Sequence, residues 1–517
     1  MTIDSGIQVG AEELPQHTDV LVIGLGATGA GVALDAASRG LDVVAVEAFD
    51  LAWGTSRWSS KLVHGGLRYL ASLQLGVAHE GAVERGILME TTAPHLTRAL
   101  PMLIPLTPAV SRFHAAFALL GTAMGDLLRV TAGTSRHTLP RPRTISAAET
   151  LALAPGVRRG GLRGAILSFD GQLEDDARLV VAIARTAATH GASVHTRSRV
   201  VELSGTHAVV RDELTGVERR IEARAVVNAS GVWAGRLVDE IRLKPSRGTH
   251  LVLRGSTLPG MRVAVMAPVP ATRNRFVFVL PQPDGNLYVG LTDEETDGDI
   301  PDVPEATEAE IDFLLDVVGT AFERTLGRDD VVGTYAGLRP LLDADGATAD
   351  LSRRHAVQTS RTGVVTVVGG KLTTYRRMAQ DAVDAVVAQR ELPAGPCRTA
   401  TLPLVGAASR VELARIDAPA RLVRRYGTEA AAVLDNARRE TGLSDADLLA
   451  PIAPGVPTTM AELVFAVTHE GARTVEDLLE RRTRISMAAA DTELARPSAE
   501  RALEMVLPPR GDRAATS

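Results

Sequence analysis

Three glycines spaced as Gly24-x-Gly26-x-x-Gly29, with an acid at Glu47, are residue types that can hold the pyrophosphate and a ribose of a dinucleotide. Gly24 permits a tight turn, Gly26 lets the backbone approach a pyrophosphate, and Gly29 lets a helix lie close on a strand. The pyrophosphate would rest on free N–H groups at the positive end of that helix. Glu47 follows Gly29 by 18 residues, where a carboxylate can bond a ribose 2′-OH, which favours NAD or FAD over NADP. A second chemical stretch, Asp50 to Leu70, mixes Gly, Ser and Thr with Lys61, His64, Arg68 and Tyr69. Small hydroxyl residues and glycines directly after a strand are what a bound phosphate or flavin requires, because the backbone must come close. Two further turns follow apolar runs: Asn228, Ser230 and Gly231, and then Gly370 with Lys371, Thr373 and Thr374. The latter lacks the GxxxxGK[ST] spacing, which excludes a nucleoside-triphosphate loop.

Strands and helices can be read on either side of these residues. Val20 to Ile23 reads as a buried strand, Ala27 to Arg39 as a small-residue helix and Val43 to Val46 as a second strand. Ser168 to Thr196 gives an acidic helix start, an amphipathic helix and a strand, and Leu214-Thr215-Gly216 marks a hairpin turn. Residues 242–290 are strand-rich and predict an antiparallel sheet, a different architecture from the βαβ start. Residues 364–376 predict the strand that completes the first sheet. A proline-punctuated linker at 391–404 leads to a helical domain at 405–517. Within that domain the default reading of Arg481, Arg482 and Arg484 is a solvated helix face, with anionic lipid as the alternative.

At 517 residues the chain exceeds one ordinary core. A net charge of −6 gives no sign of a nucleic-acid partner, and a single cysteine, Cys397, excludes an intrachain disulfide or a cysteine-zinc site and suits a reducing cytoplasm. The acidic loop from Thr292 to Glu310 holds nine acids and no base, and without EF-hand spacing it is read as a solvated connection, not a metal site. Residues 1–17 are polar and acidic, so no export signal is expected there, and they are read as a disordered tail. No window carries the 18 or more apolar residues of a spanning helix. Phe113 to Val130 comes nearest, as a half-buried helix or one that rests on a bilayer.

Taken together, VIGLGATGAGVALDAASRGLDVVAVE, SSKLVHGGLRYL, Asp175-Asp176-Ala177-Arg178-Leu179, NASGVWA, RGTHLV, RFVFVLP, YAGLRPL, GGKLTTYR and HEGARTVEDLLERRTR run in the order of one family. The chain resembles the bacterial FAD-dependent glycerol-3-phosphate dehydrogenases, flavoproteins of the D-amino-acid-oxidase or glutathione-reductase type. The resemblance implies an α/β fold plus an α domain. FAD-binding parts would lie at about 18–75, 165–240 and 330–390, and antiparallel cap parts at about 76–164 and 241–329. It implies FAD contacts at Gly24, Gly26, Gly29, Glu47, Thr55, Ser56, Ser60, Lys61, Leu62, His64, Gly65, Ser230, Gly231, Gly370, Lys371, Leu372 and Thr373. For substrate it implies Arg68, Tyr69, His250, Arg339 and Arg353.

Residue chemistry fits that assignment. A phosphate dianion needs two or more cations, and arginine binds phosphate bidentately. An imidazole accepts a proton near neutrality, so His250 is the natural base, with Lys371 its rival and Arg339 beside them in the catalytic set. The implied reaction is oxidation of sn-glycerol 3-phosphate to dihydroxyacetone phosphate. With no second GxGxxG, nicotinamide is not the acceptor. The resemblance implies a membrane quinone and a protein held at the cytoplasmic face, whereas close relatives use oxygen; the residues are compatible with either. A related oxidoreductase of hydroxy or amino acids is the alternative, and a homodimer is one assembly the chain allows.

Overall fold

The computed structural model describes residues 6–65, 75–108, 110, 112–270, 272, 275–296, 298–343 and 355–507. The glycine motif opens a nine-stranded sheet. Strands β1 (Ile7–Val9), β2 (His17–Ile23), β3 (Val43–Val46) and β8 (Ser193–Thr196) run parallel in the order β1-β8-β3-β2. On the other side of β2 lies β11 (Glu218–Asn228), which continues as a meander into β10 (His207–Asp212) and β9 (Ser198–Leu203). The strand expected near residue 364 is β19 (Val365–Gly369), parallel to β11 and antiparallel to β18 (His355–Thr359). Helix α1 (Ala27–Ser38) packs between α4 (Asp176–Thr189) and α5 (Tyr375–Arg390). Its small residues permit this: a Cβ on Gly31 would sit 3.0 Å from the Tyr375 ring.

Three expectations change here. Residues 7–17 are not a tail, because β1 pairs with β8 and Asp212 accepts the backbone N–H of Ala11. The ten-stranded second sheet also draws on stretches assigned to FAD binding: β4 (Leu62–Val63), β7 (Ala165–Leu173) and β17 (Val331–Arg339). They join β5 (Thr97–Pro105), β6 (Arg143–Ile145), β12 (Ser246–Arg254), β13 (Ala264–Pro268), β14 (Phe276–Pro281), β15 (Asn286–Gly290) and β16 (Glu294–Glu295). Alternation of apolar residues is the same in either sheet, so pairing partners alone decided the boundary. The C-terminal domain, finally, has its own core around Leu463 to Val467 but is not wholly helical, since β20 (Pro451–Ala453) and β21 (Val456–Thr459) form a hairpin.

The linker is pinned rather than free: Gly395 donates to Arg39 O, and Cys397 Sγ lies 2.9 Å from Asp35 Oδ1. Arg481 and Arg482, read as solvated, are buried against Asp50 at 2.6 and 2.8 Å. Arg57 reaches Glu480 at 2.5 Å, and Arg185 meets Glu429 at 2.7 Å. The C-terminal domain is thus joined to the glycine-motif domain through buried ion pairs.

Several imidazoles are buried uncharged. Burial and the nearby Arg178 push His95 down to about 3, and burial also lowers His195. In the unfolded chain a histidine takes its proton near pH 6.5, so below that pH the unfolded state binds more protons and stability falls as pH drops. The melting temperature should therefore decline between pH 6.5 and pH 4, and His95→Gln should flatten that decline. An unchanged slope in the variant would remove His95 from the acid response.

Candidate active site

The loop after β2 does what its glycines require. Gly24 has φ +94°, and a Cβ there would come 2.8 Å from Ala229 O. On Gly29 a Cβ would fall 1.8 Å from Gly24 O, so only glycine lets α1 start this close. Gly26 precedes α1, whose first N–H, at Ala27, donates to Ser56 Oγ at 2.9 Å. At the tip of β3, Glu47 accepts N–H bonds from Leu25 at 2.9 Å and Phe49 at 3.1 Å, which hold its carboxylate at the turn. Burial raises its pKa against those two bonds.

A cavity of about 420 Å³ runs from this turn to the second sheet. It is lined by Gly24, Gly26, Glu47, Thr55, Ser56, Ser60, Leu62, His64, Ser230, Gly231, Gly370, Lys371, Leu372 and Thr373, and by His250 and Arg339. Gly231 (φ +62°) and the pair Gly369 and Gly370 (φ +81° and +69°) turn the chain at the carboxyl ends of β11 and β19.

At the far end β12 presents His250 and β17 presents Arg339. The imidazole stacks on Tyr335, with centroids 4.6 Å apart and planes 8° apart, and Ser60 Oγ lies 2.8 Å from Nε2. Its other face needs Gly290 of β15, where a Cβ would be 2.2 Å from the ring. Burial, then the cations Lys61 and Arg339, hold His250 well below the usual imidazole range. It is therefore neutral at physiological pH. Arg339 is oriented by Ser246 Oγ at 3.1 Å, Asp293 Oδ1 at 3.0 Å and Thr292 O at 3.0 Å. A Cβ on Gly248 would collide with its guanidinium.

Residues 19–376 match the FAD dependent oxidoreductase family, and residues 397–508 match the C-terminal domain of alpha-glycerophosphate oxidase. The chain is 51% identical over 483 residues to "Glycerol-3-phosphate dehydrogenase 1" of Mycobacterium tuberculosis, covering 92% of each. It is 38% identical to "Glycerol-3-phosphate dehydrogenase" of Mycobacterium leprae, over 91% of this chain and 82% of that one. The chain belongs to the FAD-dependent glycerol-3-phosphate dehydrogenase family. Its fold matches the glycerol-3-phosphate dehydrogenase of Bacillus halodurans complexed with FAD, with a TM-score of 0.70, 29% identity and 97% of each chain covered.

The cleft of this family member fits FAD on its own geometry. Gly24 and Gly26 line the cavity without a side chain, the acid Glu47 stands at the tip of the second strand, and the same cavity reaches His250. Three residues expected at the cofactor are not among those that line the cavity. Gly29 packs on Gly24, Gly65 lies against the Arg85 guanidinium, and the Lys61 side chain turns away from the cleft to Arg57 O, Ser59 O and Asp176. Arg68, Tyr69 and Arg353 lie outside the described residues.

Other lining residues escaped sequence reasoning. Trp53, Trp58 and Trp233, the three tryptophans of the chain, all border the cavity. Arg57 lies over both Trp53 and Trp58, and Trp58 extends the His250–Tyr335 stack with centroids 6.0 Å apart. Three scarce, large aromatics in glycine- and serine-rich loops were the available signal. Nor is the acidic loop merely solvated: Asp293 orients Arg339, Asp302 borders the cavity and Glu310 pairs with Arg247 at 2.9 Å. Among the described residues no acidic, histidine or cysteine cluster could hold a metal ion.

Proposed function

We propose that this chain oxidises sn-glycerol 3-phosphate to dihydroxyacetone phosphate with FAD, and delivers the electrons to a membrane quinone at the cytoplasmic face. The observation that carries the reading is a buried neutral imidazole beside a fixed arginine, at the end of a glycine-lined cavity. FAD, when bound, supplies the hydride acceptor. His250 takes the proton of the C2 hydroxyl by way of the Ser60 hydroxyl, which gives its own proton to Nε2 2.8 Å away and receives the substrate's, and Lys371 on the same cavity wall is the alternative acceptor. Arg339 binds the phosphate, and the family resemblance adds Arg68, Tyr69 and Arg353 to that task. A carboxylate substrate would need one such cation, so the several arginines that the resemblance implies favour a phosphate over a hydroxy or amino acid.

Arg339→Ala should raise KM for sn-glycerol 3-phosphate about 10- to 150-fold, the loss of a charge-assisted contact of about 1.5–3 kcal/mol, while the flavin spectrum persists. An unchanged KM would take Arg339 out of the substrate site.

Membrane delivery is supported by α3 (Arg112–Thr131), which packs on α2 (Leu75–Ile87) and turns Leu119, Leu120, Leu127 and Val130 outward. Leu120, Leu127 and Val130 follow helical spacing with exposed Ala116 and Ala123, a continuous apolar stripe suited to a bilayer surface. Among the described residues no helix is long and apolar enough to cross a membrane. Flotation with anionic vesicles should be lost in Leu120→Glu/Leu127→Glu; retained flotation would move the contact elsewhere.

The whole reading is tested anaerobically. Flavin should bleach with sn-glycerol 3-phosphate and recover faster with a soluble quinone analogue than with oxygen. Faster recovery with oxygen would make the chain an oxidase; absence of bleaching would remove the substrate assignment.

A further inference from the structure

Two stretches singled out in the sequence take no part in lining the cleft: the Asp175–Leu179 run and the arginines that end at Arg484. They meet behind it. Arg484, buried and in the left-handed region at φ +66°, forms an ion pair with Asp176 at the first turn of α4. Burial alone would raise Asp176, but Arg484 and Lys61 outweigh it and hold the carboxyl below the usual range. Asp176 Oδ2 in turn accepts from Ser59 N at 3.0 Å and Ser59 Oγ at 2.7 Å, and stands 3.2 Å from Lys61 Nζ.

The turn these contacts hold is strained. Lys61 has φ +56°, a left-handed conformation that is unfavourable for a non-glycine residue and persists only where its surroundings impose it. Its Nζ also donates to Arg57 O at 3.1 Å and Ser59 O at 2.8 Å, and Ser59 O receives a further bond from Tyr335 Oη at 3.0 Å. Ser60 sits between the two clamped residues, with Oγ 2.8 Å from His250 Nε2.

We propose that Arg484, contributed by the C-terminal domain, is a positioning residue for the proton-accepting site: through Asp176 it fixes the Ser59–Lys61 turn and so keeps Ser60 Oγ on His250 Nε2. The inference rests on the assignment of His250 as proton acceptor. It gives the C-terminal domain a part in the chemistry without any contact to substrate or cofactor. It also gives the Asp175–Leu179 run a role as the bridge between the two domains.

The test uses the FAD-loaded full chain, with FAD content and melting temperature recorded for every variant. Arg484→Gln should slow flavin reduction at saturating sn-glycerol 3-phosphate about tenfold with KM nearly unchanged, and Arg484→Lys should restore most of the rate. Ser60→Ala should slow it similarly, and adding Arg484→Gln to Ser60→Ala should produce no further loss, because both act on one contact. Should the Arg484 variants fail to fold, Ser59→Ala, which spares the ion pair, carries the same expectation of a slowed rate at constant KM. Wild-type reduction rates in FAD-replete Arg484→Gln or Ser59→Ala, or additive losses in the double variant, would overturn the proposal. A wild-type rate in His250→Asn would instead overturn the assignment of His250, which separates the two failures.

Discussion

His250→Ala is expected to slow flavin reduction by saturating sn-glycerol 3-phosphate about 10²- to 10⁴-fold, the range that a positioned general base contributes. The expectation rests on three features. The imidazole is buried and kept neutral by burial and by the flanking cations Lys61 and Arg339. Its plane is set by Tyr335 on one face and by the missing Cβ of Gly290 on the other. Its Nε2 is held by Ser60 at 2.8 Å. Anaerobic stopped-flow spectroscopy measures the rate constant directly, and the visible spectrum shows whether flavin is retained. Reduction at the wild-type rate would pass the base role to Lys371, which borders the same cavity.

Asp50→Ala should destabilise the protein by about 3–5 kcal/mol, because removing one member of a buried ion cluster strands the others without solvent. Asp50 accepts from Arg481 at 2.6 Å and from Arg482 at 2.8 Å through each of its oxygens, and Arg57 lies close by on Glu480. Burial opposes its charge, yet Arg482 and Arg481 hold its carboxyl far below the usual range. A urea titration followed by tryptophan fluorescence reads the loss, since Trp53 stacks beneath both Arg57 and Arg481. A midpoint equal to wild type would mean that the arginines find other partners, with Asp477 and Glu480 the nearest to Arg481.

The βαβ start and its binding role were legible before any folding. Gly24, Gly26, Gly29 and Glu47 act through backbone conformation and spacing over fewer than thirty residues, and such local constraints survive in any folded context. The antiparallel sheet and the turn at Gly370 were legible for the same reason, because alternation and glycine pairs report the local backbone. The edges of the two sheets, the ordered strand at residues 7–9 and the hairpin at Pro451–Thr459 were not, because strand partners lie far away in the chain. Charge was the least legible property of all. Arg481 and Arg482 look like a solvated helix face until Asp50, more than four hundred residues earlier, is folded against them. Lys61 looks like a cofactor contact until Asp176 draws it behind the turn, and Arg339 gains its orientation from the acidic loop. Whether a charged group meets water, a ligand or a buried counter-ion is decided by three-dimensional neighbours, because desolvation depends on what surrounds a group rather than on what precedes it.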